Sequence, residues 1–190
     1  MKKIFILLGH SDPETLSGAF ADTYEHEARA AGHDVRRMNL SDMKFDPVLH
    51  KGYKVIQELE PDLKTFLDNV KWCDHFVLIY PTWWSSMPAL LKGVFDRAWL
   101  PHICFNFAHH GLTWKKLLKG RTGRIITSSN TNPWLLRFMY GSPTVVPELA
   151  LMRFAGIKAH SIDFGPSERV GERTKARWFR KVARLARAGK

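Results

Sequence analysis

Two short runs, Ile4-Phe5-Ile6-Leu7-Leu8 and Phe76-Val77-Leu78-Ile79, are apolar at every position. A strand with one wet face alternates apolar and polar side chains. A strand with no polar position is covered on both faces, as in a parallel sheet between two helical layers. After the second run the chain reads Tyr80-Pro-Thr-Trp-Trp-Ser-Ser-Met-Pro-Ala-Leu-Leu-Lys-Gly-Val-Phe-Asp-Arg-Ala-Trp-Leu-Pro101. It turns at Pro81, presents two tryptophans and restarts as a helix over about 88–99. Proline suits the first helical position, where its missing N–H has no intrahelical partner. In an open α/β sheet ligands bind beyond the carboxyl ends of the strands, so Trp83 and Trp84 fall where a site is expected.

The rest of the chain repeats the alternation. Residues 3–8 read as the first strand and 9–17 as its loop; a helix runs from about Ser17 to Ala31, stopped by Gly32. Residues 34–40, mixed in polarity, read as a second strand nearer an edge. A connection with Phe45-Asp46-Pro47 follows. A helix over 61–72 then carries Leu63, Phe66, Leu67 and Val70 on one face. Beyond the central stretch, 101–120 is an excursion, 124–127 a fourth strand, 147–154 a helix capped by Gly156, and 157–164 a fifth strand. Strands alternating with helices give a doubly wound parallel sheet.

The chain has 190 residues, 45% of them apolar, and reads as one domain, 1–190, with a substantial core. No apolar run approaches the roughly 20 residues of a membrane span. The opening Met1-Lys-Lys and its apolar stretch have the outline of a signal peptide. The stretch is short, however, and His10-Ser-Asp-Pro-Glu stands where small residues would mark a cleavage site, so it reads as a strand. Cys73 and Cys104 show neither disulfide nor metal spacing and fit a reducing cytoplasm. The nine histidines include no His-x-x-x-His pair, and no metal is expected. Much of the net charge of +11 is concentrated after Glu172. There Trp178, Val182 and Leu185 form an apolar stripe, so the segment reads as a closing helix with a solvated basic face. Nucleic acid or an anionic membrane surface is the alternative partner.

Three loops at strand ends carry candidate chemistry. After the first strand, His10, Thr15, Leu16 and Ser17 sit at a helix N-terminus, which favours an anion such as a phosphate. After the third, Pro81, Thr82, Trp83 and Trp84 offer a ring-stacking surface. After the fourth, Thr127, Ser128, Ser129 and Asn130 offer hydroxyls and backbone N–H groups. No Gly-x-Gly-x-x-Gly and no phosphate-loop lysine motif is present, which disfavours Rossmann-type dinucleotide binding and nucleoside triphosphate hydrolysis.

The string Pro81-x-Trp83-Trp84-x-x-x-Pro88-Ala89-x-x-Lys92-Gly93-x-x-Asp96-Arg97 resembles the signature of the NAD(P)H:quinone oxidoreductases, a flavodoxin-2 branch of the flavodoxin-like flavoproteins. Phe45-Asp46-Pro47 resembles the same family. The loop at 10–17 is similar to its His-x-x-Pro-x-Ser-x-Asn phosphate loop, with Thr15 at the usual Ser place and Ser17 at the usual Asn place. The Thr127–Thr131 stretch resembles its isoalloxazine-edge loop. One departure stands out: after Phe105-x-Phe107-Ala108 the family often has tyrosines, and this chain has His109-His110-Gly111.

The resemblance implies a flavodoxin-like sheet of five parallel strands, order 2-1-3-4-5, holding FMN or FAD. It also implies hydride transfer from NAD(P)H to quinones or similar acceptors by a ping-pong route. Trp83, His109 and Tyr140 are then the candidates beside the reacting ring, with the three loops holding the cofactor. A homodimer is implied as well, and Trp99, Ile103, Phe105 and Phe107 form an apolar cluster available for its interface. Some relatives are flavin-binding ancillary subunits of potassium-efflux transporters, which leaves a membrane transporter as an alternative partner; a basic nucleic-acid-binding domain is the other alternative.

Overall fold

The computed structural model describes residues 1–108 and 113–190. In chain order the main elements are β1 (Lys3–Leu8), α1 (Leu16–Ala30), β2 (Asp34–Asn39), α2 (Pro61–Trp72) and β3 (His75–Pro81). They continue with α3 (Ala89–Ala98), β4 (Phe105–Phe107), β5 (Trp114–Lys116) and β6 (Thr122–Ser128). Helix α4 (Pro133–Tyr140), a π-helical segment (Val146–Arg153), β7 (Lys158–Phe164) and α5 (Glu172–Arg187) complete the chain.

Five strands form one parallel sheet, ordered β2-β1-β3-β6-β7. This is the expected 2-1-3-4-5 order; the numbering differs because β4 and β5 pair with each other, antiparallel, outside the sheet. That ribbon lies in the 101–120 excursion. The mixed polarity of β2 is explained by its edge position.

The apolar central strands supply both cores. Phe5, Leu7, Phe76 and Leu78 face α2, α3 and the π-helical segment, where Leu63, Phe66, Phe95, Trp99 and Met152 meet them. Ile4, Ile6, Leu8, Val77 and Ile79 face α1 and α5 and meet Phe20, Tyr24, Trp178 and Val182. Each such side chain, fully removed from water, contributes about 1.5–3 kcal/mol. The apolar stripe of the basic helix is used in this packing, with Trp178 and Val182 buried and Leu185 half-buried. Cys73 and Cys104 are free and buried.

The central signature divides into two parts. Its second half holds the fold. A Cβ on Gly93 would lie 2.5 Å from the Pro47 Cβ, so only glycine lets α3 approach the 45–47 connection this closely. Arg97 is buried and ties that connection down. Its Nη1 donates to the Asp46 carbonyl, and its Nη2 donates to the Glu58 carbonyl at 2.8 Å. The same fork grips both oxygens of Glu60, at 3.1 and 3.0 Å. Lys92 and Asp96 pair across one helical turn on the outside. Pro88 stands just before α3 as its N-cap rather than at its first position.

Trp99 was expected at a subunit interface with Ile103, Phe105 and Phe107. It is buried, and its Nε1 donates to the Leu151 carbonyl at 3.2 Å. Ile103 and Phe105 pack against the same core, and only Phe107 is exposed. The excursion folds back on the body and uses this cluster internally.

Candidate active site

The site is built at the carboxyl ends of β1, β3 and β6. After β1, the Gly9 N–H donates to the Ile79 carbonyl at 2.7 Å, extending the ladder to the strand mouth. The His10 Nδ1 accepts the Asp12 N–H at 2.8 Å. Burial lowers the His10 pKa, and the opposing pull of Asp12 is smaller. The ring is therefore neutral at pH 7, with its proton on Nε2, free to donate. The ring packs edge-to-face with Trp83, at 5.5 Å between centroids and 78° between planes, joining the first loop to the second.

Thr15, rather than Ser17, caps α1. Its Oγ1 accepts the Gly18 N–H at 3.3 Å, leaving the N–H groups of Leu16 and Ser17 at the helix mouth without intrahelical partners. Ser17 is buried in the first turn. Gly18 is required by the loop's path: an ideal Cβ there would lie 1.8 Å from the Pro13 carbonyl oxygen.

After β3, Pro81 is in register with Ser128, and the Thr82 N–H donates to the Ser128 carbonyl at 2.8 Å. The chain then reverses over Trp83–Ser86, whose outer residues exchange hydrogen bonds of 2.9 and 3.0 Å. The central residues Trp84 and Ser85 have φ of +49° and +59°. That is a primed turn, normally Asn-Gly, built here without glycine and therefore strained. It holds the Trp84 side chain fully in solvent and leaves Trp83 half exposed. The hydroxyls Thr82 Oγ1 and Ser85 Oγ are buried beside it with no hydrogen-bond partner. Buried polar atoms are otherwise almost always paired, so two unpartnered hydroxyls side by side set this stretch apart.

After β6, Thr127 is buried and its Oγ1 donates to Asp163 Oδ1 at 3.0 Å, so this hydroxyl is turned to β7. Ser128 is buried at the strand end. The Ser129 Oγ donates to the Thr131 carbonyl at 2.8 Å, and the Asn130 side chain accepts the Glu168 N–H at 3.0 Å. The other oxygen of Asp163 pairs with Arg137 of α4 at 2.7 Å. Asp163 thus fixes α4 against the sheet, and α4 carries Leu136 and Tyr140.

A cavity of about 390 Å³ joins these parts. Thr82, Trp84 and Ser85 form one wall, Ser129, Asn130 and Thr131 another, and Leu136 and Tyr140 a third. The residues of the first loop lie outside it, connected through the His10–Trp83 contact. His109 lies outside the described residues. The sequence reading missed Ser85, Leu136, Arg137 and Asp163. Asp163 carried a signal, as the one carboxylate near the end of the fifth strand. Ser85 carried none, because its role depends on a turn conformation unusual for its residue type.

A parallel sheet in 2-1-3-4-5 order, with a helix mouth and two polar loops at its carboxyl edge, defines a flavodoxin-like protein. The chain belongs to the Flavodoxin_2 family, described as having a flavodoxin-like fold, which matches residues 2–163. An uncharacterised NAD(P)H oxidoreductase of Escherichia coli is 24% identical over 128 residues, covering 63% of this chain and 65% of that protein. A ribosyldihydronicotinamide dehydrogenase [quinone] of Pongo abelii is 25% identical over 195 residues, 87% of this chain and 82% of that protein. Several of the curated relatives are longer: the matches span 46% of a Penicillium crustosum protein and 46% of a Cavia porcellus one. Among solved structures, an FMN-dependent NADH-azoreductase of Bacillus anthracis, in complex with FMN, superposes with a TM-score of 0.77 at 18% identity over the whole of both chains.

Proposed function

We propose that this protein is a flavin-dependent NAD(P)H oxidoreductase that reduces quinones or similar acceptors by two-electron, ping-pong hydride transfer. One observation supports the reading: the cavity between the strained Trp83–Ser86 turn and the 129–131 loop, lined by Thr82 and Ser85, whose buried hydroxyls have no partner and would have to turn to meet a ligand. The donor set fits a flavin, FMN or FAD, and the names of the E. coli and P. abelii relatives support the activity.

A bound flavin supplies the hydride acceptance and return; the chain binds, orients and shields it. The Leu16 and Ser17 N–H groups and the His10 Nε2–H would hold its phosphate. The neutral imidazole would donate one hydrogen bond, and the α1 N-terminus would add partial positive charge. Trp83 would back the ring system. Thr82, Ser85 and the backbone at 128–130 would hold its polar edge. Trp84 and Tyr140 would flank the face left open to nicotinamide and acceptor.

The reading includes a homodimer in the cytoplasm. No described helix is long and apolar enough to cross a membrane. The exposed apolar surface suited to the dimer is α4, with Trp134, Phe138, Met139 and Tyr140, continued by Trp84. A second copy laid on this surface would cover the open side of the cavity. Light scattering at micromolar concentration should give twice the chain mass, and Phe138→Glu should halve it; a wild-type monomer refutes the dimer.

The activity is tested by visible absorption of the purified protein, with the released cofactor weighed. A flavin spectrum is expected, bleached by NADH or NADPH and restored by a quinone. Protein that neither contains flavin nor quenches its fluorescence refutes the reading. Flavin that binds but is bleached by neither nicotinamide moves the protein to a non-catalytic, flavin-binding role.

A further inference from the structure

We propose that a cleft beside the first residues of β7 is a second ligand site, which takes a phosphorylated small molecule of nucleotide size. The cleft measures about 670 Å³, larger than the cavity at Trp84 and within the range of small-molecule sites. Three segments meet around it. Lys116 and Lys119 come from the end of β5 and the turn after it, Arg153 from the end of the π-helical segment, and Lys158 and His160 from β7. No carboxylate lines it among the described residues.

The cations are arranged for something outside the chain. Lys116, Lys119 and Lys158 make no ion pair among the described residues. Lys116 is held 5.6 Å over the Trp114 ring instead. Arg153 is fixed by its Nε and Nη2, which donate to the Ala159 carbonyl at 3.1 and 2.8 Å, and it shares its charge with Glu148 at 2.7 Å. Like charges around one concave surface repel one another and focus a positive potential into it. A bland role accounts for part of the set, because lysine on an edge strand such as β7 discourages strand-to-strand aggregation. That role does not reach Lys116 and Lys119, which belong to another segment.

The lining favours an organic body over a bare anion. Ile157 and Ala159 back the cleft but are fully buried, so the carbon surface open to a ligand comes from the lysine and arginine stems in front of them. Gly156, at φ +109°, lets the 116–119 segment close in: an ideal Cβ there would lie 2.9 Å from the Lys119 nitrogen and 3.0 Å from the Lys116 Cβ. Carbon stems and cationic heads together match a ligand with a ring or chain and two or more phosphate charges.

The cleft is separate from the candidate active site. Lys158 is in register with Thr122 at the start of β6, whereas Ser128 and Phe164 pair six residues further on. At a rise of about 3.3 Å per residue the two places are roughly 20 Å apart along the sheet. A ligand here acts as an effector or a second bound metabolite.

The test is calorimetric titration of the full-length, flavin-loaded protein, freed of excess flavin, with ADP and, separately, with pyrophosphate. One ADP per chain is expected, at least about tenfold tighter than pyrophosphate. Lys116→Glu should weaken ADP at least about tenfold while leaving NADPH bleaching of the flavin unchanged. Lys119→Gln, at an exposed position, gives the same direction should Lys116→Glu fail to fold. Absence of saturable ADP binding up to about 1 mM overturns the proposal. So does pyrophosphate binding as tightly as ADP, or indifference of ADP to the substitutions.

Discussion

Replacing Arg97 by methionine tests the claim that the second half of the central signature holds the fold rather than the cofactor. The wild-type guanidinium is buried and makes four hydrogen bonds, two to backbone carbonyls of the 46–58 connection and two to Glu60. Methionine preserves much of the volume and removes every donor. Breaking a buried ion pair by deleting one partner costs about 3–5 kcal/mol, chiefly through the charge left behind. Glu60 keeps 29% of its side chain exposed and recovers some hydration, which points to the lower end. A loss of about 3–4 kcal/mol in a chain of this size lowers Tm by roughly 6–16 °C. Arg97→Lys should fall in between, because an ammonium keeps the charge without the fork.

The assay is urea unfolding with flavin held in fixed excess, since a bound ligand raises apparent stability. The midpoint should fall with the slope unchanged, and the flavin dissociation constant should stay within about twofold. The pH dependence follows from Glu60. Burial pushes its carboxyl up, but the Asp46 N–H, its own N–H and Arg97 outweigh this and hold it below the usual value. A folded-state pKa below the unfolded one stabilises above the unfolded pKa, about 4.3. That stabilisation is lost as pH falls through the folded value. The gap between wild type and Arg97→Met should therefore narrow below about pH 4. A loss under about 1 kcal/mol at pH 7, or a large loss of flavin affinity with stability intact, refutes the assignment.

Two further outcomes are expected. His75 is buried, with Nδ1 2.7 Å from Thr122 Oγ1 and an unpartnered Nε2, and burial pushes its pKa down to about 3. It stays neutral in the fold while an unfolded histidine protonates near pH 6.5, so stability should fall with pH below that point by up to about 1.4 kcal/mol per unit. His75→Gln should flatten the urea midpoint between pH 6.5 and 4.5, and an equal slope in both proteins rejects this. Ser85→Gly should act in opposite directions on two measurements. It relieves the positive φ and stabilises flavin-free protein by about 1 kcal/mol, yet removes a hydroxyl assigned to the cofactor and so weakens flavin binding; a shift of both in the same direction rejects the assignment.

Most of the layered fold is visible in the sequence, because its strands and helices announce themselves locally. Runs without a polar position, such as 4–8 and 76–79, are short enough and bounded closely enough to read as central strands of a covered sheet. Gly32 and Pro61 mark helix ends within a residue or so. The β4–β5 ribbon was not legible, since Phe105-Asn-Phe107 and Trp114-Lys-Lys116 are too short to show a period. The π-helical segment at 146–153 carries the same apolar residues an α-helix would, and nothing in their spacing selects the wider turn. Trp99 and Phe105 looked available for a partner because burial against a returning excursion is a long-range fact. The site was legible to the level of its three loops but not atom by atom. Thr127, which suggests a ring-edge hydroxyl in sequence, gives that hydroxyl to Asp163.

The strain in the Trp83–Ser86 turn connects these observations. Left-handed backbone at a non-glycine residue costs about 1–2 kcal/mol, and Trp84 and Ser85 adopt it consecutively. Glycine at either position would remove the cost, so the side chains must return something the bare turn does not. In the isolated chain they return nothing: Trp84 stands fully in water and the Ser85 hydroxyl is buried without a partner. Both deficits belong to residues that line the same cavity, one a buried hydroxyl that must turn to gain a partner and the other a flat apolar face in water. The neighbouring strand ends are already saturated, with Thr82 N–H on Ser128 and Thr127 on Asp163, which leaves this turn as the site's main unmet demand. A fold that meets its hydrogen-bonding and packing needs in the β-sheet yet keeps a strained, unsatisfied turn at its carboxyl edge has the form expected where strain is kept for binding.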